Sequence, residues 1–565
     1  MHYHELKKAW AELTAAGAPF ETATIELRGH PCLTYRNAPP NVRALWLSTA
    51  AYGERDYMVY GDERITYAQA HGKVNAVAGW LTAHGVTPGD RVAVAMRNYP
   101  EWMLVYWACV SMGVAVVGMN AWWVAEEMSY ALADSSPKVL FCDAERLARV
   151  GERPAMAEGV TLVAVRADPQ GGAIPWSEVV GHDGSLPAVD IDPDADACIF
   201  YTSGTTGFPK GAQLTHRGCI HNLFSMMFSA QVQALATSRA TGVAIDPTAP
   251  PPIPVGLLTT PLFHVTANNC GAYALTAAGG KMVLMHRWDA GEALRLIEKE
   301  KVSAMSGVPV MAREIINHPD FAKHDLSSLM SLAGGGAQVP PDLVGKIDAA
   351  VNTARPGTGY GMTETCGIIT SVSADFYVDK PDSAGPVMPD FAFKCVDDSG
   401  EAVGEGDLGE LWVRGAQVIK GYLNRPEATA ESITDGWLHT GDIARVDGDG
   451  FLFIIDRKKE MVLRGGENIY CAEVEAAVYR HPAVAECSVF GVEDARLGEE
   501  VALAVFARPG ETLRAEALRD HLAGITARHK IPRYIWILGE PLPRNASGKF
   551  LKRELRERLS LSEAA

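Results

Sequence analysis

The sequence is short of base. Its 565 residues carry 51 Lys and Arg against 68 Asp and Glu, a formal charge of −17. A protein that lives on nucleic acid needs a net cationic footprint, so that partner is excluded. A local cationic pocket for a phosphorylated ligand is not. Also missing is any CxxC pair. The ten cysteines, from Cys32 to Cys487, are scattered, which argues against a zinc site and for reduced, buried thiols in a cytoplasmic protein. No apolar run follows residues 1–8, so no secretory leader is expected. No GxxxxGK occurs, which excludes a Walker A loop.

What is present is ordinary globular material, 47% hydrophobic and 21% charged, enough for several domains with large cores. Residues 102–125 carry no charge and are long enough for a bilayer. However, Pro100 opens a helix, Gly113 ends it, residues 114–117 are rich in β-branched side chains, and Gly118 and Asn120 turn the chain. That pattern is a buried helix followed by a buried parallel strand. Strand-like runs at 91–96, 138–142 and 281–285 alternate with helical ones such as 290–301, the signature of βαβ units and mainly parallel sheets. Residues 231–255 are poor in charge and end in Pro250-Pro251-Pro252-Ile253-Pro254; they read as a surface excursion, with a lid beside an apolar ligand as the alternative. A charge cluster, Asp456-Arg457-Lys458-Lys459-Glu460, follows the apolar strand 451–455. Beyond it, helix 473–479, strands 487–492 and 501–507 and helix 513–528 could stand as a separate α/β unit of about 100 residues.

The densest chemical signal is Tyr201-Thr202-Ser203-Gly204-Thr205-Thr206-Gly207-Phe208-Pro209-Lys210-Gly211. From Thr202 to Gly207 every residue is small and either hydroxylated or glycine. Backbone N–H groups, hydroxyls and the Lys210 ammonium can therefore surround phosphate oxygens. The run resembles the phosphate loop of the adenylate-forming superfamily, which includes acyl-CoA synthetases, adenylation domains and luciferases. Four more motifs follow in family order: Tyr360-Gly361-Met362-Thr363-Glu364; Trp437-Leu438-His439-Thr440-Gly441-Asp442; Asp456 to Glu460 continuing through Gly465-Gly466-Glu467-Asn468; and Leu542-Pro543-Arg544-Asn545-Ala546-Ser547-Gly548-Lys549. The likeness spans about residues 40–558.

The resemblance implies an α/β fold: a large N-terminal domain, residues 1–456, of stacked, mainly parallel sheets with helices, and a small mobile α+β C-terminal domain, residues 457–565, hinged near Lys459. It implies activation of a carboxylate by ATP to an acyl-adenylate, with loss of pyrophosphate, then acyl transfer to coenzyme A. The two reactants are anionic, so cations and preorganised donors must screen them. By resemblance, Thr202 to Gly207 and Lys210 hold phosphates, Thr363 donates to the α-phosphate, and Glu364 holds Mg²⁺. Gly335-Gly336-Ala337 and Gly359-Tyr360-Gly361-Met362 receive adenine. Asp442, helped by Arg457, takes the ribose hydroxyls. Lys549 bridges α-phosphate and carboxylate as a point charge. Gly465, Gly466 and Glu467 line the pantetheine path once the small domain has turned.

His264, in Pro261-Leu262-Phe263-His264-Val265-Thr266, stands where members that activate amino acids carry Asp near the substrate ammonium. An imidazole suits that task poorly. With small or apolar neighbours such as Thr259, Ala267, Cys270, Gly271 and Gly367, it fits an uncharged acyl tail, either a medium- to long-chain fatty acid or an arylalkanoic acid. Two same-fold alternatives are an acyl-adenylate ligase that loads a carrier protein and a luciferase-like oxygenase. A dinucleotide-binding oxidoreductase fails because Met362 stands where the third glycine of GxGxxG belongs. The expected partners are the acid, ATP and CoA, with no nucleic acid and no transmembrane segment; a homodimer stays open.

Overall fold

The computed structural model describes residues 3–202, 209–244, 252–336, 339–351, 353–465, 467–545 and 548–565. The phosphate-loop residues Ser203, Gly204, Thr205, Thr206 and Gly207, and with them Ala337 and Gly466, lie outside that set.

Two large sheets form the body. In the first, Arg91–Ala95 lies between Ala115–Gly118 and Val139–Asp143, all parallel, with Asp196–Thr202 parallel beyond Ala115–Gly118 and Lys210–Thr215 antiparallel at the edge. In the second, Lys281–Leu284, Val255–Leu258, Ala304–Gly307, Ser331–Gly335 and Arg355–Met362 run parallel in that order, closed by the antiparallel edge Gly367–Ser373. The apolar stretch at 102–125 folds as its residues dictate. Helix Pro100–Ser111 has Pro in its first turn and every residue buried, Gly113 turns the chain at φ 72°, and Ala115–Gly118 is buried throughout. Trp107 stacks on Trp46 at 5.2 Å and donates to Tyr57 Oη at 2.6 Å, so the helix is core. Truncating Trp107 to Ala would cost about 3–5 kcal/mol. Among the described residues no helix is long and apolar enough to cross a membrane.

Two local readings need correction. Residues 231–241 are not a surface excursion; they form the last eleven residues of the 26-residue helix His216–Thr241, which buries Val232, Gln233 and Ala236 and ends at Gly242 in the left-handed region. Charge is scarce there because the helix packs against the body, not because it is a loop. Residues 245–251 lie outside the described set. The helix expected over 513–528 is only Ala515–Ala523, stopped at Gly524. The body also holds a third, antiparallel sheet, in which Trp437–Val446 lies between Phe451–Arg457 and Gly409–Gly415.

Beyond residue 460 a separate sheet begins. Gly498–Ala507 pairs antiparallel with Val484–Asp494 and parallel with Tyr534–Leu538, over its own apolar cluster of Val474, Val489, Leu503 and Leu518.

Candidate active site

The parallel sheets set the site's place. In open α/β sheets ligands collect at the carboxyl ends of the strands. Gly335 ends Ser331–Gly335, the 360–362 segment ends Arg355–Met362, and Thr202 ends Asp196–Thr202 opposite Lys210. Gly336 has φ 73°, a turn that a side chain would strain. A Cβ on Gly335 would meet nothing closer than 4.0 Å, so the backbone here lies open to a flat ligand.

Thr363 to Thr365 form one tight turn after the strand. Thr365 Oγ1 lies within hydrogen-bond distance of the Met362 N–H and the Gly367 carbonyl, and Cys366 takes φ 56°. That turn buries Thr363 and Glu364 at its base. Glu364 is fixed from outside its own motif. The Tyr422 hydroxyl donates to Glu364 Oε1 at 2.8 Å, and the Ile419 N–H donates to its carbonyl at 2.9 Å. Lys210 Nζ sits 4.9 Å from the centre of the Tyr422 ring, within range of a cation–π contact. One tyrosine therefore touches both the phosphate-loop lysine and the motif glutamate. No sequence motif marks Tyr422; only the proline-punctuated stretch after Gln417 hints at a turn there.

Asp442 lies within the strand Trp437–Val446, directly opposite Arg457. Its Oδ1 is 3.3 Å from Arg457 Nε and its Oδ2 accepts from the Tyr360 hydroxyl at 2.6 Å. Burial pushes the Asp442 carboxyl above its ordinary value, while Arg457, Tyr360 and Lys549 pull it back. Tyr360 Oη is thereby committed to Asp442, and burial beside that carboxylate raises its phenol far up.

Lys549 comes from the C-terminal unit. Its loop is built by hydrogen bonds: Arg544 donates to Glu486 and to the Gly548 carbonyl, each at 2.8 Å, and the Asn545 side chain accepts from the Lys549 N–H at 2.9 Å. The loop rests on the large body at Val308, whose Cγ2 lies 2.7 Å from where a Cβ on Gly548 would stand. The Lys549 ammonium lies within electrostatic reach of Arg457, Asp442, Glu364 and Glu460. Burial first, then Arg457, lower its pKa, and the three carboxylates oppose that. His264 is also within that reach, and its Nδ1 is 3.0 Å from Thr266 Oγ1. Burial and the Lys549 charge hold His264 down to about 4, so the imidazole is neutral at physiological pH.

The structure thus gathers Thr363, Glu364, Tyr360, Asp442, Arg457, His264 and Lys549 into one site, with Lys210 joined through Tyr422. Gly465 and Glu467 sit in the hairpin formed by Val462–Arg464 and Glu467–Ile469. The Gly465 N–H donates to the Leu497 carbonyl, and Glu467 pairs with Arg464 in an exposed edge strand. Lys459 sits in the turn in which the Glu460 N–H donates to the Arg457 carbonyl at 2.9 Å.

The arrangement offers the ammonium groups of Lys549 and Lys210, the Glu364 carboxylate, and a carboxylate–guanidinium–phenol trio. That is equipment for holding a nucleotide triphosphate beside a second anion. Comparison with known proteins agrees. Residues 45–423 match the family model described as AMP-binding enzyme, and residues 473–549 match its C-terminal domain. A feruloyl-CoA synthase of Amycolatopsis sp is 36% identical over 502 residues, 88% of this chain and 95% of that protein. An indoleacetate–CoA ligase of Aromatoleum aromaticum is 35% identical over 505 residues, covering 88% and 94%. Among solved structures, the o-succinylbenzoate CoA synthetase of Bacillus subtilis in complex with its acyl-adenylate intermediate superposes with a TM-score of 0.75 at 29% identity, covering 91% of this chain and 97% of that one. With both halves of the chain matched and the body, third sheet and C-terminal unit in place, the chain belongs to the AMP-binding enzymes of the adenylate-forming superfamily and is an AMP-forming acid–CoA ligase.

Proposed function

We propose that the acid is hydrophobic, either a medium- to long-chain fatty acid or an arylalkanoic acid, and that each site residue acts as follows. ATP lies along the carboxyl ends of the second sheet. Adenine rests against Gly335-Gly336-Ala337 and Gly359 to Met362, and the ribose hydroxyls donate to Asp442. Thr202 to Gly207 and Lys210 cradle the phosphates, with Thr363 on the α-phosphate. Glu364 is a fitting ligand for Mg²⁺. The ion binds by one or two carboxylates plus phosphate oxygens and water, and among the described residues no group of three or more metal-ligating side chains competes for it. When bound, Mg²⁺ offsets phosphate charge.

The observation that carries this reading is the docking of the lysine loop on Val308, which brings the Lys549 ammonium within electrostatic reach of Asp442, Glu364 and His264. From there the ammonium reaches a carboxylate oxygen and the α-phosphate together. The acid's oxygen attacks the α-phosphorus, the bond to the bridging oxygen breaks, and pyrophosphate leaves; the ammonium neutralises charge on both partners as they meet. A neutral His264 lines the path to the tail without adding a charge. An amino-acid substrate is disfavoured because a neutral imidazole offers its ammonium no counter-ion. The names of the relatives support an acid with an apolar body, aromatic in feruloyl and indoleacetate and aliphatic in a long-chain fatty-acid ligase that is 34% identical over 509 residues. In the second step the C-terminal unit turns about Lys459 and Gly465, Gly466 and Glu467 guide the thiol, which attacks the acyl carbon and expels AMP.

The test is to incubate the protein with ATP, Mg²⁺, CoA and a panel of fatty, arylalkanoic and amino acids and to weigh the products. Thioester and AMP from the hydrophobic acids are expected. Thioester only from amino or dicarboxylic acids would overturn the substrate class. Acyl-adenylate that accumulates without reacting with CoA would favour transfer to a carrier protein.

A further inference from the structure

Two consecutive residues of the strand Phe451–Arg457 face opposite ways, as strand geometry requires. Arg457 turns to Asp442 and the nucleotide face. Asp456 turns to the C-terminal unit, where it is 7% exposed. Its Oδ1 accepts from the Arg457 N–H at 2.8 Å, and its Oδ2 lies 3.4 Å from the Ala472 N–H. Ala472 is the second residue of the helix Cys471–Val478, and the residue at the cap position, Tyr470, makes no capping hydrogen bond. The first N–H groups of a helix have no intrahelical partner and attract negative charge. Here the acceptor comes from the other side of the junction.

Around the same point lies a charge cluster that belongs to the C-terminal unit. Lys552 Nζ is 3.1 Å from Glu460 Oε2 and 3.1 Å from Glu475 Oε1, and Cys471 Sγ donates to the Glu460 carbonyl at 3.1 Å. Lys552 follows Lys549 by three residues, so the cation that pairs with Glu460 and Glu475 and the cation that enters the site ride on one short segment. Burial raises the Asp456 carboxyl to about 6, with Lys552 the strongest opposing influence and Glu475 and Glu460 adding to the rise. It is therefore ionised at pH 8.

We propose that Asp456 is a positioning residue, which caps the helix Cys471–Val478 across the junction and so holds the C-terminal unit in the orientation that presents Lys549. The inference rests on the reading that this unit turns about Lys459 between the two half-reactions. Rotation would carry Ala472 and Lys552 away from Asp456, so the contact favours adenylation and opposes the thiol-accepting orientation.

The test separates the half-reactions in the full-length protein at pH 8. Pyrophosphate exchange reports adenylation, and thioester formation from a synthetic acyl-adenylate reports the second step. Asp456→Ala should slow exchange about tenfold or more, the scale of a hydrogen bond to a charged group, and leave the second step unchanged or faster. Asp456→Asn keeps an acceptor for Ala472 without the charge and should fall between. Energy transfer between one dye on the large body and one on the C-terminal unit should show Asp456→Ala losing the docked population. Equal losses in both half-reactions, or an unchanged distance distribution, would overturn the proposal. A wild-type protein that makes neither adenylate nor thioester would overturn the reaction reading instead, while the distance measurement would still decide the role of Asp456.

Discussion

Arg457 stands opposite Asp442 in the antiparallel register of two strands whose connecting hairpin spans only residues 447–450, and its Nε is 3.3 Å from Asp442 Oδ1. The pair is asymmetric. The Asp442 residue is 3% exposed while the Arg457 side chain is more than half exposed, so the pair's direct electrostatic worth is small. Its consequence is orientational. With one side of Asp442 held by Arg457 and Oδ2 by Tyr360, the carboxylate is fixed in advance of any ligand, which is how a binding site avoids ordering costs.

Asp442→Ala should therefore raise the KM for ATP in pyrophosphate exchange by about 10- to 100-fold, since it removes charge-assisted hydrogen bonds worth about 1.5–3 kcal/mol. Asp442→Asn, which keeps the shape, should lose less. An unchanged KM for ATP in both variants would remove Asp442 from the nucleotide site.

How much of this was legible beforehand varies with distance along the chain. Glu364, Asp442, Arg457 and Lys549 lie in short motifs whose residue types match their chemistry, and the strands Arg91–Ala95, Val139–Asp143 and Lys281–Leu284 follow from compact apolar runs. Tyr422 was not legible, because its value lies in touching Glu364, 58 residues away, and Lys210, still further. Asp456 sat inside a recognised motif, yet its partner Ala472 is visible only once the C-terminal unit is docked. The helix His216–Thr241 was not legible for an opposite reason: buried on a wide face, it lacks the charged stripe that makes a surface helix easy to read. Gly242, its left-handed cap, was the overlooked stop signal.

Tyr422→Phe should raise the Mg²⁺ concentration for half-maximal adenylation about fivefold, the worth of one ordinary hydrogen bond of about 1 kcal/mol, because Glu364 loses the hydroxyl that fixes Oε1. The ring under Lys210 survives in that variant. Tyr422→Ala should lose ATP affinity as well. A Mg²⁺ titration that does not move in Tyr422→Phe would show that Glu364 is held by other means.

Stability should depend on a buried carboxyl that takes no part in the proposed chemistry. Asp390 is fully buried and accepts from Ser225 Oγ and Gln417 Nε2. Burial raises its pKa from 3.8 to about 7. The folded protein then binds more protons than the unfolded chain between about pH 4 and 7, so Asp390 makes stability fall as pH rises through that window, by at most about 1.4 kcal/mol per pH unit. Asp390→Asn removes that titration. The variant should gain on the wild type in unfolding free energy as pH goes from 5 to 8, as read by denaturant titration at each pH. A difference that is flat with pH would show that Asp390 is ionised throughout.

The last prediction concerns how the lysine loop docks. Gly548 has φ 82°, and a Cβ there would stand 2.7 Å from Val308 Cγ2 on the large body. Gly548→Ala therefore meets two penalties: left-handed backbone strain within the loop, and a clash that exists only while the loop is docked. Truncating the neighbour separates them, because Val308→Ala removes the Cγ atoms and leaves the strain. Gly548→Ala should cut pyrophosphate exchange about tenfold or more while sparing thioester formation from a supplied acyl-adenylate. Adding Val308→Ala should restore part of the loss, which a double-mutant cycle on the exchange rate measures. Additive losses would place the damage in the loop itself, and equal loss of both half-reactions would show that the docked contact with Val308 is no part of adenylation.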